Sequence, residues 1–138
     1  MHNGKTVVIT YGSFDPLHEG HLNLFRRCKQ LGDYLIVGVA TQRSHDLVNS
    51  GKKLLYPLSE RVKAVQDCGL VDKVIVEDDI RQDPADIIKY HADYYVMGSD
   101  YAGKKDYLNA YCKVVYLPRT EGISSSEIKR RLYETSIA

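Results

Sequence analysis

Two of the chain's five histidines, His18 and His21, stand three residues apart in "YGSFDPLHEGH" (Tyr11 to His21), directly after the apolar run "TVVIT". Residues at that spacing share one face of a helix. If a helix starts here, two imidazoles converge at its N-terminus, where free N–H groups and the helix dipole attract phosphate. Such a pair donates hydrogen bonds to phosphoryl oxygens and stabilises charge as it builds there. Gly20, between them, removes a side chain where a nucleotide would approach the backbone. Zinc ligation is the competing chemistry, but zinc proteases use H-E-x-x-H with i,i+4 spacing, and "HEGH" offers neither that spacing nor an evident third ligand. The plain alternative is a pair of surface or capping histidines.

A second candidate anion site lies near the C-terminus. In "PRTEGISSSEIKRR" Ser124 and Glu127 fit a capping box, which predicts a last helix from about Ser125. Arg119 and the hydroxyls of Thr120, Ser124 and Ser125 can bind triphosphate oxygens at that helix start; a simple turn and cap is the competing explanation.

The elements that must position these groups follow from hydrophobic periodicity. Continuous runs rich in Val, Ile and Tyr at 5–11, 34–41, 73–77, 94–98 and 113–117 read as strands buried on both faces. Helical spacing lies between them: Leu24, Phe25, Cys28 and Leu31 share a stripe, Ser59 begins a capped helix, and Asp83-Pro84 caps another. This alternation predicts a single α/β Rossmann-like domain over 1–138, a five-stranded parallel sheet with helices on both faces. Its first strand is central, so the turn after Tyr11 opens into the crevice where such sheets bind ligands. Asp100 follows the fourth strand at the same end, with helix capping as its other reading. The stretch 42–57 is the least structured and longer than an ordinary βα loop.

Composition narrows the partners. Nineteen Lys and Arg against eighteen Asp and Glu give a net charge of +1, so no global field draws nucleic acid or an anionic membrane. The longest apolar run is strand-sized, which predicts no membrane insertion, and "MHNGKT" lacks the regions of a signal peptide; a cytoplasmic protein is expected. Cys28, Cys68 and Cys112 are odd in number and scattered, so buried or bland thiols are expected, with no metal site. His2, His45 and His91 carry no pattern, and "KRR" at 129–131 reads as a solvated helix face.

"YGSFDPLHEGH", "RRCKQLGDYLIVGVAT", "YYVMGSDYAGKKDYL" and "VVYLPRTEGISSSEIK" together resemble the HxGH nucleotidyltransferase superfamily, and within it the bacterial glycerol-3-phosphate cytidylyltransferases, from about Thr6 to Leu132. The resemblance implies cytidylyl transfer from CTP, with Mg²⁺, to a small phosphorylated alcohol such as glycerol 3-phosphate, giving CDP-glycerol for cell-surface polymers. It also implies a homodimer. It gives His18, His21, Lys52 and Arg119 the catalytic roles, and the nucleotide to Tyr11, Gly12, Ser13, Phe14, Asp15, Gly20, Asp100, Thr120, Gly122, Ile123, Ser124 and Ser125. Lys53 and Arg61 fall to the substrate. Ordinary readings stand beside these: a turn-stabilising Asp15, solvated lysines, and Arg61 in a surface ion pair.

The chain departs from the family pattern around the acceptor and triphosphate. Gly69 stands for an arginine, Ser99 for an acid, Glu19 and Ile80 for aromatics and Tyr101 for a tryptophan, and the 42–57 loop is about two residues longer. Relatives acting on phosphocholine, phosphoethanolamine, a sugar phosphate or pantetheine phosphate are the second reading. A nucleotide-binding module without catalysis is the third.

Overall fold

The computed structural model describes residues 3–49 and 51–118. Five strands, β1 (Val7–Gly12), β2 (Tyr34–Ala40), β3 (Lys73–Glu77), β4 (Tyr94–Gly98) and β5 (Lys113–Leu117), form one parallel sheet in the order β3-β2-β1-β4-β5. The first strand is central: Thr10 pairs with Val37 on one side and Val96 on the other. The order reverses there, which puts the ligand crevice beyond the C-terminal end of β1.

The unbroken apolar runs of the three inner strands β1, β2 and β4 are explained by burial on both faces, while the edge strands β3 and β5 are only partly buried. Val7, Ile9 and Tyr11 pack with Ile36, Tyr95, Met97, Ile87 and Leu108. Val8 packs on the opposite face with Phe25, Cys28, Leu35, Val37, Val65 and Val96. Helices α1 (Glu19–Leu31) and α3 (Leu58–Asp67) therefore cover one face through Phe25, Cys28 and Val65. Helix α4 (Asp83–Tyr90) and the 3₁₀ turn Asp106–Ala110 cover the other through Ile87 and Leu108. All three cysteines are free thiols, and Cys28 is fully buried. Among the described residues no helix is long and apolar enough to cross a membrane.

Four local expectations are corrected. The stretch 42–57 opens with a helix, α2 (Gln42–Val48), whose N-terminus is capped by the Thr41 hydroxyl accepting from the Ser44 N–H. Ser59 does not cap α3; Pro57 holds the N-cap position without a side-chain capping bond, its φ of −62° already set by the ring, and Ser59 lies within the first turn. Asp83 is helical rather than a cap, because its carboxyl turns inward to accept from the buried Tyr95 hydroxyl. Where strand–helix alternation calls for a helix between β4 and β5, the described chain makes 3₁₀ turns at Ser99–Tyr101 and Asp106–Ala110. The last helix expected from Ser125 lies outside the described residues.

Candidate active site

The helix expected after the HEGH motif is α1, and its cap is made by the two histidines themselves. His18 is the N-cap in extended backbone; its Nδ1 accepts from the Gly20 N–H at 3.1 Å, while His21 Nδ1 accepts from the His18 N–H at 3.2 Å. The imidazoles lie stacked, with centroids 3.8 Å apart and planes inclined by 23°. The chemical consequence is a fixed tautomer. With both Nδ1 atoms accepting backbone protons, each neutral ring carries its hydrogen on Nε2 and presents a donor there. Burial, and then the neighbouring His18, lower the pKa of His21 to about 3, so this ring is a neutral donor at pH 7.

The turn between β1 and α1 holds that pair in place. Phe14, buried and with φ of 51°, sets its ring edge-on to His21 at 4.9 Å and against Phe25 at 5.6 Å. Gly12 makes room for it: a Cβ at position 12 would stand 2.9 Å from the tip of the Phe14 ring. Asp15, 2% exposed, accepts from the N–H groups of Leu55 and Tyr56 at 2.7 and 2.8 Å. Its carboxylate thus ties the end of the Lys52–Lys53 loop to the histidine-bearing turn. Gln42 secures the same loop from α2, accepting from Leu54 N–H and donating to the Lys52 carbonyl. Lys52 and Lys53 are exposed on it.

Arg61 sits beneath this loop, 3% exposed, and donates to the carbonyls of Tyr56, Ser13 and Ala40 at 2.9, 2.9 and 2.6 Å. Burial pulls its pKa below the ordinary arginine value while Asp15 pushes it back up. Arg61 therefore neither forms a surface ion pair nor points into open solvent; it splices the ends of β1 and β2 to the basic loop. Tyr11 is likewise a wall of the site: its ring packs on Tyr95 at 5.5 Å and its hydroxyl donates to Asp86. Ser13 Oγ meets His45 Nδ1 at 2.9 Å. Asp100 is exposed in the turn after β4. Arg119, Thr120, Gly122, Ile123, Ser124 and Ser125 lie outside the described residues.

A cleft opens beside this turn, across the C-terminal ends of β1, β2, β3 and β4. Tyr11, Ser13, His45, Ile80 and Tyr101 line it, with Ser44, Glu77, Tyr95 and Lys105. Glu77, 4% exposed, accepts from the Ser44 hydroxyl at 2.9 Å; Asp83, fully buried, accepts from Tyr95 at 2.7 Å, with Lys105 Nζ 4.0 Å away. Sequence reasoning missed this group. One signal was present: Glu77 directly follows the apolar run Val74, Ile75, Val76 at the ligand-binding end of the sheet. Among the described residues, no three His, Cys, Asp or Glu side chains are grouped as a metal cage.

Gly69, where the family pattern has an arginine, follows α3 with φ of 79°, a left-handed conformation that favours glycine. The substitution therefore fits a turn geometry of this chain's own.

Comparison with known proteins extends the geometry. Residues 9–131 match the family profile described as Cytidylyltransferase-like. The glycerol-3-phosphate cytidylyltransferase of Bacillus subtilis (strain 168) is 46% identical, over 91% of this chain and 95% of that protein. The protein of the same name from Staphylococcus aureus (strain NCTC 8325 / PS 47) is 43% identical, over 91% of this chain and 94% of its own. Among solved structures, a lipopolysaccharide core biosynthesis protein from Thermoplasma volcanium superposes with a TM-score of 0.70 at 27% identity, covering 86% of this chain and all of that one. A histidine-capped helix at the switch point of a five-stranded parallel sheet, inside a profile match that spans nearly the whole chain, makes this protein a member of the Cytidylyltransferase-like family.

Proposed function

We propose that the protein transfers the cytidylyl group of CTP to glycerol 3-phosphate, forming CDP-glycerol and pyrophosphate for cell-surface polymer synthesis. The observation that carries this reading is the stacked His18–His21 pair at a helix N-terminus, whose capping bonds to Nδ1 put the hydrogen of each neutral ring on Nε2. The names of the relatives support the choice of nucleotide and acceptor.

In this reaction a phosphate oxygen of the acceptor attacks the α-phosphorus of CTP. The bond from that phosphorus to the bridging oxygen of the β-phosphate breaks, and pyrophosphate leaves with the electron pair. The attacking oxygen is already anionic at pH 7, so the protein's task is alignment and charge stabilisation rather than proton removal. His18 and His21 donate to the phosphoryl oxygens as negative charge gathers there. Lys52 and Lys53 supply positive charge from a loop that Asp15 and Arg61 hold against the turn, which makes those two positioning residues. The Ser13–Phe14 backbone, Gly20 and Asp100 line the nucleotide's path, and the family resemblance gives the triphosphate to Arg119, Thr120, Gly122, Ile123, Ser124 and Ser125. CTP arrives as its Mg²⁺ complex. Mg²⁺ commonly rides on substrate phosphates with few protein ligands and would there help pyrophosphate leave.

The acceptor enters the cleft that runs from Ser13 and His45 toward Glu77. We place the reaction in the cytoplasm and the working unit as a homodimer of single-domain chains, on the strength of the family resemblance. The test is pyrophosphate release by the purified protein with CTP and Mg²⁺, with and without glycerol 3-phosphate, and with ATP replacing CTP. Release that requires both CTP and the acceptor supports the proposal; silence with glycerol 3-phosphate removes that acceptor.

A further inference from the structure

The acceptor cleft has an unusual floor for so small a site: two carboxyl groups and one ammonium, each less than a tenth exposed. Glu77 and Lys105 line the cleft, and Asp83 lies behind them. Asp83 uses Oδ2 to accept from the Tyr95 hydroxyl, while no N–H or O–H donor reaches its Oδ1. Its other neighbour is the Glu77 carboxyl. Two carboxylates cannot be joined without a proton, and burial followed by the Glu77 contact raises Asp83 to about 9. Asp83 therefore keeps its proton at neutral pH, which leaves Glu77 as the acidic group of the floor and Lys105, with Nζ 4.0 Å from Asp83, as the basic one. The floor is polar, rich in donors and acceptors, and close to neutral overall.

We infer that Lys105 and Glu77 determine acceptor specificity, selecting a phosphorylated alcohol whose far end carries uncharged hydroxyls and rejecting one that ends in an ammonium or quaternary amine. This rests on the reading of the cleft as the acceptor site. Hydroxyls can both accept from Lys105 and donate to Glu77, so a polyol end replaces its water contacts on entry. A cationic end meets the Lys105 charge in a desolvated site where the available negative charge is already matched, and such burial is costly. Tyr101 adds a hydroxyl-bearing wall that suits the same ligand.

Two substitutions pull the floor in opposite directions. Lys105→Met leaves the carboxyl pair's charge unmatched and should favour a cationic end; Glu77→Gln leaves Lys105 unmatched and should disfavour it further. The measurement is calorimetric affinity for glycerol 3-phosphate and for phosphoethanolamine on the full chain, with pyrophosphate release run in parallel. The ratio of the two affinities should fall at least about tenfold in Lys105→Met and rise in Glu77→Gln. A merely structural role would weaken both ligands together in both variants. Ratios that stay fixed or move the same way overturn the inference, as does a wild-type protein that binds neither acceptor or prefers phosphoethanolamine. Should Lys105→Met fail to fold, Lys105→Gln keeps a polar, uncharged group and is held to the same ratio. Opposed shifts in binding with no turnover from CTP would leave this inference standing and sink the proposed reaction.

Discussion

Replacing Arg61 by methionine separates a residue that holds the site together from one that grips substrate. The guanidinium is 3% exposed and makes three hydrogen bonds to carbonyls, those of Tyr56, Ser13 and Ala40, near the Asp15 carboxylate. A hydrogen bond from a charged donor contributes about 1.5–3 kcal/mol. Three of them set a gross loss of at least about 4.5 kcal/mol. The Ser13 and Tyr56 carbonyls are only partly buried and regain water, whereas the Ala40 contact is buried, so the net cost is about 3–5 kcal/mol, the range for breaking a buried charged contact. For a chain of this length each kcal/mol lowers the melting temperature by roughly 4 °C, predicting a fall of about 12–20 °C. Thermal unfolding by circular dichroism reads this directly. CTP titration, at a temperature where the variant is folded, reads the second arm. A melting temperature within about 2 °C of wild type, together with a tenfold rise in the KM for CTP, would show the guanidinium working on phosphate and refute the splice argued from its three carbonyls.

Replacing His21 by alanine removes a preorganised donor and should lower kcat by about 10²–10³, with CTP affinity changed less than about threefold in a filter-binding assay. The same ring carries a pH signature. Its folded pKa of about 3 lies below the ordinary 6.5, so between those values the unfolded chain binds more protons. Stability should fall as pH drops through that window, and His21→Gln should flatten the denaturant midpoints measured there. Asp83 predicts the opposite slope. Raised from 3.8 to about 9, it keeps a proton in the folded state that the unfolded chain releases, so its contribution is lost as pH rises through that range. Asn mimics the protonated acid, so Asp83→Asn should gain on wild type as pH rises from 5 to 8.5, by more than about 1 kcal/mol in urea titrations. Gly12→Ala sets a methyl 2.9 Å from the Phe14 ring and should cost about 1–3 kcal/mol by the same titrations, with kcat falling because Phe14 backs His21.

The legible part of this chain was the part written in local periodicity. The five apolar runs became five strands with nearly the expected bounds; β1, β2 and β4 are buried on both faces as expected, whereas the edge strands β3 and β5 are only partly buried, with Val76 43% exposed. The HEGH spacing was equally legible, since i,i+3 residues meet on any helix that starts there. Capping was less so. Thr41, Pro57 and Gln82 occupy N-cap positions, and the stronger-looking Ser59 and Asp83 do not, because a buried partner such as Tyr95 outweighs a cap's modest contribution.

By itself, then, the sequence determined a parallel sheet with β1 at its centre and a pair of histidines at the mouth of that strand. Its motifs placed the chain among nucleotidyltransferases, and the profile match agrees. Only the tertiary structure decided which polar groups meet across distant segments: Asp15 with Leu55 and Tyr56, Arg61 with Ser13 and Ala40, and Asp83 with Tyr95 and Lys105. Periodicity encodes which face of an element is buried, but a hydrogen bond depends on donor and acceptor arriving within about 3 Å, and that is set by how loops and helices pack onto the finished sheet.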